Sequence, residues 1–202
     1  RIKPVGIYYH TYSASKPAGL KALHKVYGWA LAQPLHPVFA SEFITKVQDF
    51  HTMALAREGD GWRVRGGGSL RTLRVPASLG VPQPQASQGI AGWSEGPEGR
   101  YVHLTGTSAW LRTAEAATPT APALHEANAR INHWAMLPQG GEFELQGHVP
   151  LEFSLRLRPE CQVRAHQRIL PSQPSRTPAR ADIRLYRLND VTARIQILCP
   201  AP

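Results

Sequence analysis

The spacing of apolar residues changes once along the chain, near residue 60. Before this point, short apolar runs alternate with stretches in which apolar residues recur every three or four positions, as on one face of a helix. After it, apolar and polar residues alternate singly, as in a strand with one buried face. The pattern predicts an α/β segment over residues 1–57 and an all-β domain over residues 58–202.

The first segment has the order strand, helix, strand, helix. Residues 4–9 (PVGIYY) and 35–40 (LHPVFA) are short apolar runs that are typical of buried strands. Ser15 and Ser41 are the predicted N-caps of the two helices, and Pro17 suits the first turn of the first one. Strands joined by helices are usually parallel, and two such units cannot close a barrel. We therefore predict the closing βαβα units of a (β/α) barrel whose other units belong to a longer parent protein.

The predicted β domain contains about eight or nine short antiparallel strands separated by turn-forming residues, which is typical of a jelly-roll-like β-sandwich. Residues 123–134 fit either a helix or a strand, and the pattern leaves both open. The alternation is clearest in two runs, whose apolar faces consist of Leu151, Phe153, Leu155 and Leu157 and of Val191, Ala193, Ile195 and Ile197.

Composition adds a basic balance to this picture. The 202 residues carry 23 Lys and Arg against 14 Asp and Glu, a formal net charge of +9. All lysines lie within residues 1–46, whereas nine arginines lie within residues 151–199. Such a basic strand surface could meet a polyanion or a membrane surface, or could simply face solvent. We expect no nucleic-acid partner, since no RNP-like motif or basic helix occurs, and no membrane span, since no apolar stretch is long enough.

The two cysteines, Cys161 and Cys199, leave two states open. They could form a disulfide in an oxidising compartment, or remain two separately buried thiols. No C-x-x-C motif occurs, so a four-cysteine zinc site is excluded.

Sequence motifs for metal or nucleophilic chemistry are absent. The nine histidines form no H-x-x-x-H, H-E-x-x-H or H-x-H pattern, and no G-x-S-x-G elbow occurs. We therefore expect no metal site within this chain. The run Gly66, Gly67, Gly68 lacks the lysine of a P-loop and is interpreted as a flexible turn.

His10 is the main catalytic candidate. It follows the first predicted strand directly, and active sites of parallel α/β proteins lie at the carboxyl ends of their strands. A histidine there could act as a general acid or base, or could be a structural residue that hydrogen-bonds its loop. Tyr12 and the neighbouring tyrosines could contact sugar rings. Glu42, at the end of the second predicted strand, is a weaker candidate for substrate binding, with helix capping as its alternative.

A family resemblance is carried by residues 4–43, PVGIYYHTYSASKPAGLKALHKVYGWALAQPLHPVFASEF. This run resembles the end of the deacetylase domain of Pel-type polysaccharide deacetylases, multidomain periplasmic enzymes of biofilm exopolysaccharide modification. The later segments DGWRVRG, SLRTLRVP and GHVPLEFSL look like the β-rich domain that follows in that family.

The resemblance implies a metal-dependent N-deacetylase that acts on an N-acetylhexosamine polymer, with N-acetylgalactosamine as the expected sugar. A divalent metal, typically zinc, would activate the attacking water, and an Asp would act as the base. By position, His10 looks like the general acid, with Tyr12 and Glu42 toward the substrate. The metal ligands and the catalytic Asp of the family precede this region. The chain is therefore expected to hold no cofactor itself and to be inactive alone.

The partners implied are the exopolysaccharide, the preceding deacetylase segment of the same parent protein and other exopolysaccharide export proteins, all in the periplasm. The alternative function is a non-catalytic β-sandwich that binds carbohydrate or a partner protein. Its candidate ring-stacking residues, which could equally be core residues, are Trp62, Trp93, Trp110 and Trp134.

Overall fold

The computed structural model describes residues 4–33, 35–116, 122–174 and 182–200. Its contacts divide the chain into two compact units, residues 1–36 and residues 37–202. This division lies earlier than the boundary at 57/58 that the apolar spacing predicts. The second predicted helix consequently belongs to the β-rich unit.

The first unit consists of an extended segment, a short 3-10 helix and one α-helix. The 3-10 helix covers Thr11–Ser15, and α1 covers Pro17–Leu31. Pro17 lies in the first turn of α1, as predicted. The predicted Ser15 cap is wrong, because the Ser15 hydroxyl donates to the Tyr12 carbonyl at 2.7 Å and Lys16 is the N-cap.

The strand predicted over residues 4–9 is not formed. The described residues 4–10 have no regular secondary structure, and the side chains of Val5 and Tyr8 are 55% and 85% exposed. An apolar run becomes a strand only when an adjacent edge accepts its backbone hydrogen bonds. The described part of this unit offers no such edge.

Helix α2, Ala40–Thr52, opens the second unit. The strand predicted over residues 35–40 is also wrong, since the described residues 35–39 are irregular and Ala40 is already helical. Phe39 is the N-cap, so the predicted cap Ser41 lies inside the helix instead. Here too, none of the described strands pairs with the apolar run.

The rest of the second unit is mainly antiparallel β-sheet, as predicted. A four-stranded sheet has the order β1-β2-β7-β4, a five-stranded sheet β13-β12-β16-β10-β9, and a seven-stranded sheet β14-β15-β11-β8-β5-β6-β3. The strands are β1 Ala54–Glu58, β2 Gly61–Arg65, β3 Thr72–Val75, β4 Val81–Pro82, β5 Ile90–Gly96, β6 Gly99–Leu104, β7 Ser108–Ala114, β8 Ala123–Ala127, β9 Arg130–Leu137, β10 Gly140–Gln146, β11 Leu151–Arg156, β12 Gln162–Ala165, β13 Arg168–Ile169, β14 Gln173–Pro174, β15 Ile183–Leu188 and β16 Thr192–Leu198.

Two apolar cores lie between these sheets. The larger core joins the five-stranded sheet to β8, β11 and β15. At its centre, the ring centroid of Phe153 is 5.8 Å from that of Phe143 and 5.5 Å from that of Tyr186. The smaller core joins the four-stranded sheet to β3, β5 and β6. Its buried members are Val64, Val75, Ile90, Trp93, Val102, Leu104, Ala109 and Leu111.

The two clearest alternating runs are confirmed as core strands with one exception. All four predicted residues of the 151–157 face are buried, as are Ala193, Ile195 and Ile197. Val191 precedes β16 and is 46% exposed. The segment that the pattern left open, 123–134, forms strands.

Cys161 and Cys199 form a disulfide across 38 residues. They flank a paired position of the five-stranded sheet, where Gln162 of β12 lies opposite Leu198 of β16. Both cysteines are buried against the larger core. The bond therefore ties together two strands that are already neighbours.

We expect the paired substitution Cys161→Ala and Cys199→Ala to lower the free energy of unfolding by about 3–4 kcal/mol, because the closed loop no longer restricts the unfolded chain. Denaturant unfolding followed by tryptophan fluorescence measures this change. A reductant should destabilise the native protein but not the paired variant. Equal stability of the native protein with and without reductant would contradict the prediction.

Candidate functional site

The structure brings His10 and Tyr12 together in the first unit. The two rings are stacked, with centroids 5.0 Å apart and planes 9° apart. Tyr8 also contacts His10, with the two rings in an edge-on arrangement and their centroids 5.4 Å apart. All three side chains are exposed, so the imidazole is accessible to a ligand between aromatic surfaces.

A shallow apolar groove continues from this cluster. It lies between residues 5–8 and the face of α1 that carries Val26, Trp29 and Ala30. The Trp29 ring is 60% exposed. Exposed aromatic rings next to hydrogen-bonding groups suit the apolar faces and hydroxyls of a sugar.

Glu42 belongs to the second unit and has two partners there. Its Oε2 accepts the backbone N–H of Phe39 at 2.7 Å and lies 2.8 Å from Nε2 of His148. The Phe39 and His148 rings are themselves 4.4 Å apart. The Phe39 N–H lowers the pKa of the Glu42 carboxyl against the opposing effect of desolvation, and His148 lowers it further. The helix-capping alternative for Glu42 is therefore confirmed, and its role toward substrate stays a prediction.

Asp49 of α2 is a buried carboxylate that the sequence did not single out. Its two oxygens accept the backbone N–H groups of Gly67, Ser69 and Leu70, the last two at 2.8 Å. Burial alone would raise the pKa of Asp49, but these donors outweigh it and hold the pKa below its ordinary value. The glycine run, which the sequence indicates as a flexible turn, is thus anchored to α2 through Asp49.

A serine–histidine contact lies inside the β unit. Ser154 Oγ is 3.1 Å from Nδ1 of His125, and His103 Nε2 is 2.6 Å from the His125 carbonyl oxygen. Ser154 and His125 are only 5% and 6% exposed. Burial lowers the pKa of His103 despite that hydrogen bond. Because a substrate cannot reach this serine, we interpret the cluster as a satisfied polar core.

The four candidate tryptophans of the sandwich occupy different positions. Trp93 is buried in the smaller core, and Trp62 and Trp134 pack against the smaller and larger cores. Trp110 instead lies against Gly61, where an added Cβ would come within 2.6 Å of the indole ring. Its Nε1 donates to the Glu58 carbonyl. Trp93 therefore serves packing in the core, whereas Trp62, Trp110 and Trp134 are each half-buried.

The described residues do not fit a metal centre. Within residues 4–33, 35–116, 122–174 and 182–200, no three His, Cys, Asp or Glu side chains converge. The divalent metal thus stays an expectation for the complete deacetylase domain.

In the ranges that the structure describes, no helix is long and apolar enough to cross a membrane.

No family model, curated protein or solved structure matches the chain. Its function must therefore be inferred from its own residues. The resemblance of residues 4–43 to polysaccharide deacetylases stays a hypothesis, and the surroundings of His10 are the part of the structure that bears on it.

We expect Asp49→Asn to lower the free energy of unfolding at neutral pH by roughly 2–3 kcal/mol, because buried N–H donors lose their charged acceptor. The folded state depresses the Asp49 pKa. This stabilisation is therefore complete above the unfolded pKa, about 3.9, and is lost as the pH falls through the folded pKa.

Denaturant unfolding of both proteins at pH 7 and at several values below pH 4 measures this difference. The gap between the native protein and Asp49→Asn should shrink on acidification. Asp60→Asn is the control, since Asp60 is an exposed carboxylate paired with Arg112. A gap that is absent at pH 7, or that is matched by the control, would refute the anchoring role.

Proposed function

We propose that the chain is the C-terminal part of a polysaccharide N-deacetylase, in which His10 donates a proton to the leaving amine. The observation that supports this most directly is the exposed His10 ring between Tyr8 and Tyr12. The aromatic groove beside it, with Trp29 along α1, offers room and stacking surfaces for a sugar chain. The N-acetylhexosamine class of substrate follows from the sequence resemblance.

The proposed role of His10 is a single step, the donation of one proton to the leaving nitrogen. Deacetylation adds water to the acetamide carbonyl carbon, breaks the C–N bond and leaves acetate and a free amine. The amine nitrogen must gain a proton as the bond breaks, since an amide anion is too poor a leaving group. An imidazolium N–H placed beside the sugar can supply that proton. Activation of the water is assigned to the preceding segment of the parent protein.

The exposed apolar faces of the helices support the partnership with a preceding segment. Ala30 is the buried residue of α1, whereas Leu20 and Leu31 are 40% and 56% exposed. On α2, Phe43 and Phe50 are 37% and 69% exposed. Helices of a (β/α) barrel bury such faces against parallel strands. The disulfide is compatible with the periplasm that the family resemblance implies.

We expect His10→Ala to reduce acetate release about 10²- to 10⁴-fold in a protein that joins this chain to its preceding deacetylase segment. The assay follows acetate release from N-acetylhexosamine oligosaccharides. His24→Ala is a matched control, because His24 is an exposed imidazole of the same unit. Residues 1–202 alone should release no acetate. Turnover by this chain alone, or a near-normal rate for His10→Ala, would contradict the proposal.

A second candidate function is sugar binding by the β unit without catalysis. Trp110 favours it, because Trp110 lies opposite Arg63 in the four-stranded sheet and its Nε1 donates to the Glu58 carbonyl. Arg63 and Glu58 form an ion pair at 2.7 Å. Such a ring with adjacent charged groups is a common sugar-stacking arrangement.

Titration of residues 1–202 with a neutral oligosaccharide separates the two candidates. Loss of binding in Trp110→Ala would favour the β unit as the binding element. Loss of binding in Trp29→Ala would favour the groove beside His10. We expect the second result, with at least a tenfold loss of affinity from removal of one stacking ring.

A further inference from the structure

Arg71, directly before β3, carries a guanidinium group that the fold leaves unsatisfied. Its Nε and Nη1 atoms are buried, and neither has a hydrogen-bond partner among the described residues. A buried charged donor without a partner is costly, and native proteins normally supply an acceptor. The position therefore calls for an acceptor that the described part of the chain does not provide.

A second cation, Lys46, lies against the loop of residues 66–70, which directly precedes Arg71. Lys46 of α2 donates from Nζ to the Ser69 carbonyl at 3.0 Å. Arg71 Nη2 lies 3.9 Å from the position that a Cβ atom on Gly68 would occupy. The loop of residues 66–70 thus has one ammonium and one guanidinium group against it.

Arg130, at the start of β9, is the third cation of this cluster. It lies opposite Gln146 of β10, two residues before His148. His148 contacts Glu42, which is one turn before Lys46 on α2.

Desolvation lowers the pKa of Arg71, and repulsion from Arg130 lowers it further. Desolvation likewise lowers the pKa of Lys46, and Arg130 and Arg71 add to that effect, whereas the Glu42 and Asp49 carboxylates oppose it.

The two nearby carboxylates are occupied by other donors. Asp49 accepts three backbone N–H groups of the loop, and Glu42 accepts the Phe39 N–H and contacts His148. Three cations against these two carboxylates, 3 − 2, leave a local charge of +1. The cluster can be neutralised by one further anion.

We propose that Lys46, Arg71 and Arg130 form a binding site for a single oxyanion group, a phosphate, sulfate or carboxylate. Oxyanions accept several charge-assisted N–H bonds at once, and guanidinium groups are their preferred partners in proteins. The partial burial of Arg71 favours one compact group over an extended polyanion lying across the surface. This site is independent of His10 and of the proposed deacetylase activity.

The test is titration of residues 1–202 with sodium phosphate, sodium sulfate and sodium acetate at constant ionic strength. The NMR signal of the Arg71 Nε–H group reports occupancy directly, and the melting temperature reports the linked stabilisation. We expect a saturable shift of that signal and a higher melting temperature with at least one anion at about 10 mM. The anion that acts identifies the chemical class of the ligand.

Arg71→Gln and Arg130→Gln should each weaken anion binding at least about tenfold, since each removes a charged donor. Arg194→Gln is the matched control, because Arg194 is 61% exposed and makes a long 3.8 Å contact with Glu142. Arg71→Met should fold without anion and lose the anion-dependent rise in melting temperature. Absence of any saturable shift in the native protein, or unchanged binding in both glutamine variants, would overturn the proposal.

Discussion

One buried carboxylate organises the charged groups of the second unit. Asp49 collects backbone N–H groups from residues 67–70, a loop that starts with glycines and offers little side-chain surface of its own. Once α2 is held there, the helical repeat places the residues one and two turns earlier on the same face. Lys46, three residues earlier, reaches the Ser69 carbonyl, and Glu42, seven residues earlier, reaches His148. The same anchor therefore positions both the helix N-terminus and the cationic cluster.

Much of the β unit could be predicted from residue spacing, because alternation reports directly on which side of a strand is buried. Leu151, Phe153 and Leu155 illustrate this. The apolar runs at 4–9 and 35–40 were wrongly predicted as strands. Strand formation also requires a neighbouring strand to pair with, and the presence of that neighbour does not depend on the local sequence. The partners of Asp49 and Glu42 were equally hidden, because Glu42 and His148 are 106 residues apart.

The candidate sites differ in what they require of their surroundings. The His10 cluster is open, and its rings contact one another more than any core. An exposed imidazole gains catalytic value only when water is displaced and a substrate is held beside it. Two guanidinium nitrogens of Arg71, Nε and Nη1, are buried without a hydrogen-bond partner among the described residues, and this is unfavourable even without a ligand. This contrast explains why the His10 site could be proposed from residue type and position in the sequence, whereas the Arg71 site could be found only from the residues that surround it in the structure.

The seven-stranded sheet forms one wall of both cores, and this has a consequence for how the β unit assembles. Strands β3, β5 and β6 face the smaller core, and β8, β11 and β15 face the larger one, with β5 and β8 paired in parallel between them. Strands β1 to β7 supply the smaller core, and strands β8 to β16 supply the larger one together with Ala91 of β5. The parallel pair of Gly92 and Leu124 joins the two parts into one sheet, so separation of β1–β7 from β8–β16 would uncover the facing edges of β5 and β8, and exposed sheet edges promote aggregation.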